Sequence, residues 1–194
     1  MFEGNKGLLI MPGILIVLMI IGGVFFLNDQ EGITNEKLKE EIEIHMNVNT
    51  EGEQWEVHTE WDWTVAPSDG LYGNDYIGVV FYDASGEIVD SFELIEAELA
   101  LYHGDKIIEQ SEPIRGENGL IFTFTNQLDE HLSYGNIGDI HVVVKSPDIV
   151  NTETFFMHTW MNHAPMQSTD ATFENVAFEH GGDIPYWVIS VDDQ

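Results

Sequence analysis

The sequence predicts an all-β fold, an antiparallel β-sandwich of immunoglobulin-like architecture, preceded by a single N-terminal transmembrane helix. Three observations predict it. An uncharged apolar run lies near the N-terminus, apolar residues alternate with polar ones after residue 42, and turn signals recur at roughly ten-residue intervals without any βαβ alternation.

Residues 7–27 read GLLIMPGILIVLMIIGGVFFL and carry no charge. At about 1.5 Å per residue, a helix of this length matches a hydrocarbon core of about 30 Å. Pro12 falls in the first turns, where a missing N–H costs least. No small-residue cleavage site follows, so the run reads as an uncleaved signal-anchor. Lys6 precedes it and Asp29 and Glu31 follow it, partly offset by Lys37 and Lys39. That asymmetry predicts a single-pass protein of the cell membrane, with 1–6 as a cytoplasmic tail and the remainder on the extracytoplasmic side.

Residues 28–41 (NDQEGITNEKLKEE) read as a polar stalk in which Asn35 could cap a short helix. The acidic domain is expected to occupy 42–194. Its first hairpin is the clearest local signal. Ile42, Ile44, Met46 and Val48 alternate with Glu43, His45 and Asn47, and Trp55, Val57, Trp61, Trp63 and Val65 alternate with acids and His58. With Glu51-Gly52 as a two-residue loop, Val48 faces Trp55, Ile42 faces Trp61 and His45 faces His58. Further strands are expected over 76–82, 88–94, 99–102, 107–109, 120–126, 140–145, 154–163 and 184–191. Residues 93–102 fit a helical period as well as a strand. The cysteine–tryptophan–cysteine mark of true immunoglobulin domains is absent, so the likeness is one of architecture.

The chain holds 35 Asp+Glu against 6 Lys+Arg, a formal charge of −29. Glu3 and Lys6 cancel, so the whole excess falls on the exported part. Such a field repels nucleic acid and concentrates cations. The absence of cysteine removes disulfides, thiolate zinc sites and cysteine nucleophiles.

Two sets of side chains could hold a metal. On the outward face of the first hairpin, His45 and His58 with Glu60 offer imidazole and carboxylate donors suited to zinc or copper. In FMHTWMNHAPM, the donors Met161, His163 and Met166 suit copper, provided the strand ends near Asn162 and bends at Pro165. The blander readings are a solvated strand face and methionines filling the core. The loop from Asp69 to Asp75 is a calcium candidate, although it lacks the EF-hand order. No G-x-S-x-G, H-E-x-x-H, P-loop or dinucleotide fingerprint occurs, so no enzymatic role is expected. The expected function is a non-catalytic, membrane-anchored binding or envelope-associated domain with a protein partner on the cell surface, docking through strand edges and loops such as Leu71-Tyr72. The competing expectation is a membrane-tethered copper- or zinc-binding protein.

Overall fold

The computed structural model describes residues 6–28, 32–129, 132–179 and 181–193, without the side chains of 6–11 and 24–28. The chain divides into two units, 1–33 and 34–194.

The first unit holds helix α1, Lys6–Asn28. Its described apolar side chains from Ile14 to Ile21 are all exposed. Among the described residues no helix is long and apolar enough to cross a membrane.

The second unit is all-β apart from one helical turn, α2 (Asn35–Leu38). Its strands are β1 (Glu43–Glu51), β2 (Gln54–Asp62), β3 (Asn74–Tyr82), β4 (Glu93–His103), β5 (Lys106–Ser111), β6 (Ile114–Arg115), β7 (Leu120–Thr125), β8 (Gln127–Asp129), β9 (Leu132–Tyr134), β10 (Ile137–Lys145), β11 (Asn151–Thr159) and β12 (Tyr186–Asp192). One five-stranded sheet has the order β1-β2-β10-β4-β5, a second has β12-β11-β3-β7-β6, and β8 pairs with β9 alone. All these pairings are antiparallel.

The two large sheets share one core. Val57, Trp61, Leu99, Leu101, Ile140 and Val142 from the first meet Ile77, Val79, Phe81, Phe122, Phe124 and Phe156 from the second. Period-two alternation explains the first sheet, whose strands turn apolar residues inward and acids and histidines outward. Strand β3 differs, being buried along nearly its whole length. Residues 164–179 and 181–184 cover the outer face of the second sheet, where Ala171, Phe173 and Phe178 cluster with Tyr76, Val80, Ile121 and Met157. Gly78 makes that approach feasible, because a Cβ there would lie 1.8 Å from the Ala171 carbonyl oxygen.

Four expectations change. The hairpin loop is Gly52-Glu53 rather than Glu51-Gly52, since Glu51 pairs with Gln54. Gly52 takes φ +66 at the first loop position, a conformation glycine adopts without strain. Every β1 residue therefore faces a partner two places further along, and His45 lies across from Glu60, not His58. Residues 93–102 lie in strand β4. The expected strand over 88–94 is reduced to a single bridge, Tyr82 to Ile88, before β4 begins. The segment expected to be a stalk is packed from residue 34 onward, with Asn35 and Leu38 both fully buried. Thr34, not Asn35, stands at the N-cap of α2.

Candidate functional site

The outward face of the first sheet carries the densest set of chemistry-bearing side chains. Glu43 and His45 come from β1, His58, Glu60 and Asp62 from β2, Asp139 from β10 and Tyr102 from β4, all lining a cavity of about 470 Å³. Strand register sets their order. His45 pairs with Glu60, Glu60 pairs with Asp139, and His58 pairs with His141 one step further along. Side chains on neighbouring strands are then about 4.5–5.5 Å apart at Cβ when directly opposed, and somewhat further on the diagonal.

Contacts within the groove are polar. His58 Nε2 lies 3.1 Å from Asp139 Oδ2, with Asp139 about one-fifth exposed. Asp139 Oδ1 is buried and has no hydrogen-bond partner. His141 points the other way along the sheet, with Nε2 2.9 Å from Glu56 Oε1. Of the residues expected as one metal site, His45, His58 and Glu60 do share this cavity, but the two histidines are diagonal neighbours. Among the described residues, no three potential donors already stand in metal-binding geometry.

Tyr102 lines the groove beside Asp139. The hold of the Asp139 carboxylate on the hydroxyl proton first, then burial and the charges of Asp139 and Glu98, pushes the Tyr102 pKa up to about 12. Protonated tyrosine donates to the carboxylate, whereas tyrosinate would be repelled by it. Asp139→Asn should therefore bring Tyr102 ionisation back toward its ordinary value of 10.0. A difference titration by ultraviolet absorbance should show one tyrosinate appearing at lower pH in the variant. Superimposable curves would show that Asp139 does not hold the Tyr102 proton.

A second polar cluster lies inside the domain. Asp75, Asn126, His158 and Asn35 are all fully buried. His158 Nδ1 lies 2.8 Å from Asp75 Oδ2, and its Nε2 lies 2.9 Å from Asn35 Oδ1. The Asn35 amide is oriented by its own donors, since Nδ2 donates to Asp69 Oδ1 and the Gly70 carbonyl. Its oxygen must then accept from the histidine. Asp75 Oδ1 accepts from the Thr159 N–H and from Asn126 Nδ2. The rings of Trp187 and Trp160 lie against His158, at 4.8 and 5.6 Å between centroids. With no exposed surface on its polar residues, this cluster braces the fold rather than meeting a ligand.

The cluster was not anticipated, although polar Asp75 and His158 beside the apolar runs YIGVVFY and FFM were visible signals. It also accounts for the calcium candidate. Asp69 accepts from the backbone and side chain of Asn35, and Asp75 is sealed in the core. Leu71 is buried too, so of the Leu71-Tyr72 pair only Tyr72 is exposed.

The methionine–histidine segment follows the second sheet's strand β11. Strand β11 ends at Thr159. Met161 is exposed, whereas Met166 bridges to Phe178 and packs with the outer apolar cluster. His163 lies between them with both ring nitrogens engaged, Nδ1 by the Ala164 carbonyl and Nε2 by Thr159 Oγ1. Its ring packs on Phe178 at 4.4 Å between centroids.

Compared with protein-family models, with curated proteins and with solved structures, the chain matches none.

Proposed function

We propose that this chain is a membrane-anchored protein whose extracytoplasmic domain binds a positively charged ligand in the groove on the outer face of its first sheet, without catalysing a reaction. The groove carries the reading. Four carboxylates and two imidazoles line it, no lysine or arginine does, and the chain's charge of −29 adds a long-range attraction for cations.

Anchorage is supported by the uncharged run 7–27 and by the row of exposed apolar side chains from Ile14 to Ile21. An apolar surface of that kind needs lipid or a partner. The sandwich reading is supported by one core shared between two antiparallel sheets. Strand order extends it to an immunoglobulin-like plan. Read β1, β2, β3, β4, β10, β11 and β12 as A to G. The sheets then run A-B-E-D and G-F-C, the constant-type arrangement, with β5–β9 inserted between D and E.

Protease added to intact cells should remove the domain and leave only the tail and helix. A domain untouched by external protease, or a mature form beginning after residue 27, would overturn the anchored reading. For the groove, an arginine-rich peptide should bind the full chain in detergent more weakly after Glu60→Gln/Asp139→Asn than after neutralisation of the distant Glu112. Equal weakening by both would remove the groove from the reading.

A further inference from the structure

We propose that the groove is a binding site for a divalent transition-metal ion such as zinc, held by His45, His58, Glu60 and Asp139. This rests on the reading of the groove as a cation site and narrows the ligand to one class. It also adds Asp139, whose strand lies far along the chain from the first hairpin.

Donor type argues for the class of ion. Hard cations such as calcium take oxygen ligands alone, whereas imidazole beside carboxylate suits zinc, copper and nickel. Position argues for these four residues. Glu60 is the direct cross-strand neighbour of both His45 and Asp139, and His58 reaches Asp139 from the next row. A tetrahedral ion with ligands at about 2.0–2.1 Å separates adjacent donor atoms by about 3.3 Å. The His58 Nε2 to Asp139 Oδ2 separation of 3.1 Å is already close to that edge. Asp139 Oδ1, buried and without a hydrogen-bond partner, leaves the carboxylate short of the positive charge that a metal supplies. Tyr102 lines the same cavity as Asp139, in position for its hydroxyl to orient that carboxylate as a metal ligand.

His45 and Glu60 complete the set by side-chain rotation. Both are exposed, so nothing packed against them has to move. His141 is excluded by geometry, because it turns away toward Glu56 and Glu96.

The test is a zinc titration of the full chain in detergent, by calorimetry against a competing chelator, with cobalt absorption as a second readout. One equivalent should bind with a tetrahedral cobalt spectrum. His58→Ala and Asp139→Ala should each weaken binding on the order of 100-fold, Tyr102→Phe on the order of 10-fold, and His141→Ala hardly at all. Equal loss in the His141 variant, or one equivalent bound unchanged in His45→Ala/His58→Ala, would overturn the assignment. The arginine-rich peptide separates the two levels. If zinc fails to bind but the peptide still depends on Glu60 and Asp139, the metal is wrong and the groove stands. If neither binds there, both fall.

Discussion

Asp75→Ala is expected to destabilise the domain by about 3–5 kcal/mol, because it removes a buried carboxylate that three donors share. His158 Nδ1, the Thr159 N–H and Asn126 Nδ2 all bond to it at 2.8–3.0 Å. Asn126 Nδ2 keeps the Thr159 carbonyl at 2.7 Å and lies 3.3 Å from His158 Nδ1, so the loss falls mainly on the charge-assisted bonds that His158 and the Thr159 N–H make to the carboxylate. Water cannot replace the carboxylate without opening the core, since every member of the cluster is fully buried. Urea unfolding followed by tryptophan fluorescence is a direct measurement, as Trp63, Trp160 and Trp187 all pack on His158. With a slope of about 1–3 kcal/mol per molar, the midpoint should fall by more than about 1 M. A midpoint within experimental error of the parent would mean the cluster contributes little.

That same cluster shows where sequence reasoning ran out. Alternation over 42–65 was enough to find the first hairpin and to say which residues face out. It could not fix the pairing, because a shift of two places leaves every side chain on its own face. The metal reading depended on that shift. His45 and His58 were legible as outward neighbours, but Asp139 and Tyr102 reach the groove from β10 and β4 by long-range strand pairing that no local pattern encodes.

Burial of polar residues was the second blind spot. Asn35 sits in NDQEGITNEKLKEE, a composition that reads as solvated, yet its neighbour Leu38 is fully buried and its carbonyl accepts from Trp187 Nε1. Leu38 is the apolar residue in this segment that marks its return to the core. A comparable hint lay in YIGVVFY, whose near-continuous apolar run signals burial on both faces. The covering residues 164–179 meet that need, although their own sequence has no strand period.

Trp61→Ala should cost a further 3–5 kcal/mol or so, by a different route: a large cavity at the centre of the core. Trp61 is 2% exposed, and its ring lies 5.1 Å from Phe124 and 5.6 Å from Phe156, so it fills the space between the two sheets. Its indole N–H donates to the Gly135 carbonyl at 2.8 Å, and truncation leaves that buried oxygen unpaired. Gly138 stands opposite Trp61 in the register, and a Cβ there would come within 2.4 Å of the indole, so the glycine makes room for the ring. Trp61→Phe separates the two contributions, since it restores most of the ring contact but not the hydrogen bond, and should cost only about 1–2 kcal/mol. Trp61 also lines the floor of the groove, so cavity formation should loosen β2 and β10 together. Amide exchange across the β2–β10 pairing should then accelerate more in Trp61→Ala than exchange between β11 and β12. Uniform acceleration across both sheets would show that Trp61 supports overall stability but does not specifically hold the groove's strands in place.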